Sequence, residues 1–283
     1  MLPRELYRKS VVRLEENGVP DADLEAALLL EYLFGIKRVD LILSERRFAD
    51  HELEKFEESL RRRIAREPLS YIVREKEFWS LPFRVTPSVL IPRPETELLV
   101  EEVLALVENH NTYQGRMLDL GTGSGVIPVV LALELPLAKV FASDLSFNAL
   151  EVAWENMVRH NVADRVFLMN GNWLSHLRSD CPFAIIISNP PYVAVDSRAQ
   201  LQPELDFEPE MALYGGRDGL DAYRTMIPES RRCLQKGGML VMEIGYDQEE
   251  MVRDIFSESP GMELVKIRKD YSGQSRIAVG RAI

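Results

Sequence analysis

The chain has 283 residues, 46% apolar and 28% charged, which is enough apolar material for a sizeable core and excludes a generally disordered protein. Its formal net charge of -11 opposes any function in which the whole molecule adheres to nucleic acid, where phosphate neutralisation by Lys and Arg supplies most non-specific affinity. Cys181 and Cys233 lack CxxC spacing and the histidines His51, His110, His160 and His176 lack metal-ligand spacing, so neither a disulfide framework nor a metal is assigned.

The N-terminus, Met1-Leu-Pro-Arg-Glu-Leu-Tyr-Arg8, carries charges where a signal peptide needs an apolar core. The most apolar stretch, Leu24 to Phe34, is interrupted by Glu25 and Glu31 and falls short of the roughly 20 residues that span a bilayer. A cytoplasmic protein with no membrane partner is expected. Residues 2–66 then show apolar positions at three- and four-residue spacing: Leu6, Val11, Leu14; Leu24, Ala27, Leu28, Tyr32; Leu53, Phe56, Leu60, Ile64. These predict about four short helices, broken at Asn17-Gly18, Pro20-Asp21, Gly35 and Ser44 to Asp50. The basic run Arg61-Arg-Arg-Ile-Ala-Arg66 reads as a solvated helix face.

From Tyr71 to Val89 the residues become aromatic and β-branched. Phe78-Trp79 and Phe83-Arg-Val85 flank Ser80-Leu-Pro82, which predicts a β-hairpin. A helix follows over Glu95 to Val107, with acidic residues in its first turn. Beyond it, strands at Arg116–Leu120, Lys139–Ser143, Val166–Asn170 and Phe183–Ser188 alternate with helices at Ile127–Leu135 and Asn148–His160. Such alternation of short apolar strands with helices indicates a parallel sheet covered on both faces. A helix at Ala222–Leu234, a strand at Gly238–Ile244, a helix at Gln248–Phe256 and strands near Leu264–Lys269 and Arg276–Gly280 complete it. The expected organisation is a helical domain over 1–70, a hairpin linker over 71–90 and an α/β domain over 91–283.

Two motifs carry chemistry. Met117-Leu-Asp-Leu120 runs into Gly121-Thr122-Gly123-Ser124-Gly125 and then a helix, which places the glycines at the carboxyl end of the first parallel strand, where doubly wound sheets bind ligands. Asp119 is placed to meet a cationic amino group. Asp144 ends the next strand, close to the ~20-residue spacing at which an acid reaches ribose hydroxyls. A tight strand-to-helix turn also produces a glycine run, and it is the second acid that points to a nucleoside. Dinucleotide binding predicts GxGxxG, whereas the last glycine here falls one place early.

The second motif is Asn189-Pro190-Pro191-Tyr192 at the end of the fourth strand, on the same sheet edge as the glycine loop. An Asn side-chain oxygen and the Pro190 carbonyl can each accept one hydrogen from a planar NH2 group, fixing its plane and its lone-pair direction. The prolines stiffen that pair. The Tyr192 ring can pack over the acceptor group and favour a nearby positive charge. Transfer of a group to that nitrogen is then an in-line displacement driven by orientation and electrostatics.

The glycine run resembles motif I of class I methyltransferases, and Asn189 to Tyr192 resembles motif IV of those that modify adenine N6 or a glutamine amide. Arg66-Glu-Pro-Leu-Ser-Tyr-Ile72, Phe78-Trp79, Val89-Leu-Ile-Pro-Arg-Pro-Glu-Thr-Glu97 and Gly215-Gly-Arg-Asp-Gly219 together resemble the peptide chain release factor N5-glutamine methyltransferases (the PrmC/HemK family) over nearly the whole chain. The resemblance implies a class I, Rossmann-like catalytic domain that uses S-adenosylmethionine. It also implies an N-terminal helical domain that helps grip class I release factors, and methylation at N5 of the glutamine in their Gly-Gly-Gln motif. It implies cofactor contacts from Gly121 to Gly125, Asp144, Trp173 and Asn189, with Asn189 to Tyr192 holding the glutamine and Arg93 and Glu95 at the substrate entrance. Arg74 and Ser80 stand where the family usually has glycine, and Asn172 replaces a common Asp. Asp270-Tyr-Ser-Gly273 and Arg276 match its final hairpin. The remaining alternatives are a ribosomal-protein glutamine, an adenine in DNA or RNA, for which this acidic chain lacks a basic recognition region, and a non-enzymatic cofactor-binding module.

Overall fold

The computed structural model describes residues 1–283 apart from Ile42, Ser179, Asp180 and Cys181, and apart from the side chains of Ala199 and Gln200. Cys181 therefore lies outside the described residues. The chain forms two compact units, one of residues 1–75 with 202–207 and one of residues 76–201 with 208–283.

In the first unit, α1 (Pro3–Glu16), α2 (Ala22–Phe34), α3 (Asp50–Ile64) and α4 (Leu69–Val73) pack around Leu14, Leu29, Leu30, Phe56 and Leu60. Gly35, at φ +67, closes α2 as a left-handed cap. The phase of α2 differs from the expected one: of the expected set only Ala27 is buried, Leu24, Leu28 and Tyr32 are exposed, and Ala22, Ala26, Leu29 and Leu30 face the core. The reason is that apolar residues occupy nearly every side of this helix, so a 3.6-residue period has no unique phase. The basic run also differs from a solvated face. Arg63 is buried between Glu25 and Glu204, Arg66 pairs with Glu204 at 2.8 Å, and Arg62 pairs with Glu67 at 2.5 Å. Arg63 and Arg66 hold the segment 202–207 within this unit through Glu204, and the buried charge of Arg63 is tolerable only because it is paired in this way.

Tyr71 to Val73 are helical rather than part of a hairpin. The hairpin itself is β1 (Glu75–Phe78) and β2 (Leu81–Arg84), joined by Trp79 and Ser80 at φ +54 and +55. Positive φ at both turn positions marks the two-residue turn whose twist suits a hairpin, and it favours glycine. Arg74, at φ +58, ends α4 in the same region. The usual family glycines at 74 and 80 thus answer a backbone requirement that this chain meets at a cost. We expect Ser80→Gly and Arg74→Gly each to stabilise the chain by about 1 kcal/mol, read as a raised urea midpoint at unchanged m-value.

The hairpin is a fixed part of the second unit. Phe78 and Phe83 enter its core, Trp79 N–H donates to Glu97 Oε1 at 2.7 Å, and Arg84 N–H donates to Asn156 Oδ1 at 2.7 Å. Asn156 is fully buried and also donates to Ser124 O at 2.8 Å, which ties the hairpin to the glycine loop.

The second unit contains α5 (Thr96–Ala105), β3 (Arg116–Leu120), α6 (Val126–Glu134), β4 (Lys139–Asp144), α7 (Phe147–Arg159), β5 (Val166–Asn170) and β6 (Phe183–Ser188). These are followed by α8 (Glu210–Leu213), α9 (Asp221–Cys233), β7 (Leu234–Glu243), α10 (Glu249–Ser257), β8 (Met262–Lys269) and β9 (Ser275–Ala282). Among the described residues the sheet has seven strands in the order β5-β4-β3-β6-β7-β9-β8, parallel from β5 to β7, with β9 antiparallel to both its neighbours. The expected α/β, Rossmann-like class is the one found. Alternation along the strands divides two cores: Met117, Ile185, Ile187 and Val241 face α5, α6 and α7, while Leu118, Ile186, Leu240 and Met242 face α9 and α10. Among the described residues no helix is long and apolar enough to cross a membrane.

Candidate active site

The strand order reverses at β3, so the crevice above the carboxyl ends of β3, β4 and β6 is where a ligand site is expected. Register brings the motifs to one level: Leu120 lies opposite both Ser143 and Ser188, and Gly121, Asp144 and Asn189 are the next residues on their strands. A cavity of about 310 Å³ opens there. Of the residues singled out in the sequence, Gly121, Thr122, Gly123, Ser124, Asp144, Trp173, Asn189 and Pro191 line it. Asp119, Gly125, Pro190, Tyr192, Arg93 and Glu95 do not.

Gly121, Gly123 and Gly125 all have positive φ, and a Cβ at Gly125 would stand 3.0 Å from that of Ala153, so the loop closes against α7 only without a side chain there. Asp144 anchors the loop from the neighbouring strand. Its carboxylate accepts from Gly123 N–H at 2.9 Å and from Ser146 N–H at 2.8 Å. Burial raises the Asp144 carboxyl above its ordinary range, and these backbone donors act in the opposite sense. Trp173, whose backbone at φ +46 is unusual for a bulky residue, sets its indole against Gly121. Arg93 is occupied elsewhere, paired with the buried Glu208 at 2.5 Å, and Glu95 is an exposed residue just ahead of α5.

Asp119 is fully buried, and by strand alternation it falls on the apolar face shared with Met117. Neither of its oxygens has a hydrogen-bond partner, and the Thr122 hydroxyl is likewise without one. Burial pushes the Asp119 carboxyl up to about 7; the Thr122 hydroxyl opposes this without making a bond of ordinary geometry, and the Asp144 charge adds to it. An unpaired carboxylate in a low-dielectric setting beside a cavity favours a cation within that cavity.

Asn189 extends from the end of β6 into a set of buried partners. Its Nδ2 donates to Thr96 Oγ1 at 3.0 Å, Thr96 Oγ1 donates to Glu243 Oε2 at 2.8 Å, and the Tyr192 hydroxyl donates to Glu243 Oε1 at 3.1 Å. Glu243 ends β7 at the level of Asn189, since Met242 lies opposite Ser188. Burial raises the Glu243 carboxyl, against the hydrogen bonds from Thr96 and Tyr192 and the charge of Arg276. Burial likewise raises the Tyr192 phenol, which packs against the second core instead of lining the cavity. Glu243 carries no signal in the sequence, and Thr96 stands in the Val89–Glu97 segment of the resemblance without a role of its own: one ends an apolar strand and the other opens a helix, and only the packing of α5 on β7 joins them.

The glycines of Gly215 to Gly219 hold the tetrapeptide from behind. A Cβ at Gly215 would lie 2.3 Å from Pro191 O, one at Gly219 would lie 2.2 Å from Tyr192 O, and Gln248 Nε2 donates to Tyr192 O at 2.9 Å. We expect Gly215→Ala to reduce kcat by about tenfold or more by displacing this backbone. Cofactor affinity should stay near that of the parent chain, as compared by steady-state kinetics and calorimetry.

Two family models match the chain, PrmC N-terminal domain over residues 5–73 and Methyltransferase small domain over residues 95–204. The chain is 39% identical over 270 residues to the Release factor glutamine methyltransferase of Caulobacter vibrioides, covering 95% of this chain and 92% of that one. It is also 39% identical over 277 residues to the protein of the same name from Moorella thermoacetica, covering 98% and 97%. Among solved structures, a methyltransferase from Pyrococcus furiosus superposes with a TM-score of 0.53 at 18% identity, covering 82% of this chain and 98% of that one, which is a likeness of fold.

Proposed function

We propose the following reaction for this chain, which belongs to the release factor glutamine methyltransferase family: transfer of a methyl group from S-adenosylmethionine to the side-chain amide nitrogen, N5, of the glutamine in the Gly-Gly-Gln motif of class I peptide chain release factors. The observation that carries this reading is the fixed amide of Asn189 at the cavity wall, with its Nδ2 held by Thr96.

The residues present fit the cofactor. The Thr122 hydroxyl at the cavity wall and the charge of the unpartnered Asp119 carboxylate buried next to it suit its ammonium, Asp144 suits the ribose hydroxyls, and Trp173 offers an aromatic face to the adenine. Bound there, S-adenosylmethionine supplies an electrophilic methyl group on a sulfonium sulfur.

The protein's own part is orientation. Asn189 Oδ1 and the Pro190 carbonyl each accept a hydrogen from the glutamine NH2, which holds the amide plane and turns the nitrogen lone pair to the methyl group. Holding both hydrogens also draws electron density onto the nitrogen as positive charge develops there, and that is the stage at which the acceptors bind most strongly. As the N–C bond forms the methyl–sulfur bond breaks, leaving a neutral thioether, and the nitrogen then releases one of its hydrogens as a proton. Tyr192 fastens the tetrapeptide to Glu243 from outside the cavity. The net charge of -11 sets this chain against a nucleic-acid acceptor.

The test is methyl transfer from labelled S-adenosylmethionine to a purified release factor, its Gln→Ala variant, a ribosomal fraction and duplex DNA. Label confined to the intact release factor is the expected outcome. Label on DNA, or undiminished label on the Gln→Ala protein, would overturn the reading.

A further inference from the structure

The mechanism above uses the oxygen of Asn189 but leaves open what decides which end of that amide meets the substrate. An Asn side chain is nearly symmetric in shape, and its two ends differ only in donating or accepting. If the amide were turned over, its NH2 would face the glutamine NH2, donor against donor, and the acceptor pair would be lost.

With Glu243 ionised, the hydrogen-bond inventory around Asn189 allows one orientation. The carboxylate then offers acceptors only, and each of its oxygens is engaged, one by the Thr96 hydroxyl at 2.8 Å and one by the Tyr192 hydroxyl at 3.1 Å. A threonine hydroxyl has one hydrogen, and here it is directed to Glu243. The Thr96 oxygen is then left to accept, so its partner at 3.0 Å on Asn189 is the NH2 end. Glu243 is fully buried and Thr96, which borders the cavity, is 3% exposed, so the bond between them is largely screened from water. Among the described residues nothing engages Asn189 Oδ1, and Asn189 lines the cavity.

We propose that Thr96 and Glu243 are positioning residues, forming a one-way chain of donors from Asn189 to Thr96 to Glu243 that keeps the Asn189 oxygen turned toward the acceptor NH2 of the substrate. The inference rests on the reaction proposed above and adds to it the source of the polarity. Three separate elements supply the parts: α5 brings Thr96, β7 brings Glu243, and the exit of β6 brings Asn189.

The test compares Thr96→Val, which keeps the shape and removes the hydroxyl, with Thr96→Ser, which restores it, and with Glu243→Met, which removes both carboxylate acceptors and leaves the Thr96 hydrogen free to turn to Asn189 Oδ1. Thr96→Val and Glu243→Met are each expected to lower kcat by about a hundredfold, as loss of a preorganised acceptor does elsewhere. KM for the release factor and the cofactor Kd should stay within about threefold of the parent chain, and Thr96→Ser should keep kcat within about threefold. A role in packing alone would leave valine the better substitute, since serine removes a buried methyl group.

Near-normal kcat in Thr96→Val, or equal impairment in Thr96→Ser, overturns the inference. Should the valine variant fail to bind cofactor, Glu243→Met decides: a loss confined to kcat supports the chain of donors, and unchanged kcat overturns it. A parent chain that leaves the release factor unlabelled counts against the reaction itself. Normal labelling by both the parent chain and the Thr96→Val chain counts against this inference alone.

Discussion

Replacing Asn189 by Ala is expected to lower kcat by at least about a hundredfold, roughly 3 kcal/mol of transition-state stabilisation, the size associated with losing one preorganised hydrogen-bonding group. Cofactor affinity should fall far less, because Asn189 is one of many residues around the cavity and the glycine loop is held independently by Asp144 and Asn156. Single-turnover methyl transfer together with calorimetry separates the two effects. Asn189→Asp should fail as well: a carboxylate has no hydrogen for the Thr96 oxygen, and its charge would stand beside the buried Glu243. Turnover of the alanine variant near the parent rate would remove Asn189 from the mechanism.

Asp119→Asn is expected to act in opposite directions on binding and on stability. In the folded chain the Asp119 carboxyl is pushed up to about 7 from an ordinary value of 3.8. The folded state thus holds this proton more tightly than the unfolded state, so the contribution of Asp119 to stability falls as pH rises from about 4 to about 7 and is level above that. The loss amounts to a few kcal/mol across that window. The Asn variant lacks this slope. Its melting temperature should match or trail the parent near pH 4 and exceed it at pH 8.

Cofactor affinity follows the reverse course, because only the ionised carboxylate attracts an ammonium. In the parent chain affinity should rise with pH up to about 7 and then level, whereas the Asn variant should bind about tenfold or more weakly at pH 8 with little pH dependence between 5 and 8. Calorimetric titrations at pH 5.5, 7 and 8.5 test both halves. A parent affinity independent of pH would separate Asp119 from the ligand's cation. The cost in stability at a position that serves binding is the usual trade at such sites.

The alternation of strands and helices from Arg116 to Ser188 was legible in the sequence because each β strand there is short, apolar and bounded by turn residues, and the strand limits at Arg116–Leu120, Val166–Asn170 and Phe183–Ser188 agree with the structure. The phase of α2 was not legible, since an apolar residue sits on almost every side of it. The start of β7 was also missed: it begins at Leu234, directly after α9, whereas the sequence suggested that the helix runs to Leu234 and the strand starts at Gly238. There Leu234 pairs with Phe183 and the register then shifts before Met239, with Gly237 at φ +77 in between, so the glycines mark an irregularity inside the strand instead of its start. The glycine-like backbone at Arg74 and Ser80 was legible only through the glycines that the family usually carries there, because neither residue type itself advertises positive φ.

What the sequence determined by itself is the class of sheet and the edge on which Gly121, Asp144 and Asn189 meet, because local periodicity fixes the elements and parallel strands share one carboxyl edge. What only the tertiary structure decided is the state of the side chains behind that edge. The burial of Asp119 without a partner, the pairing of Arg93 with Glu208, the withdrawal of Tyr192 from the cavity and the line from Asn189 through Thr96 to Glu243 depend on contacts between residues up to 147 positions apart. Hydrogen-bond polarity and desolvation are properties of such contacts, and a one-dimensional pattern of residue types does not contain them.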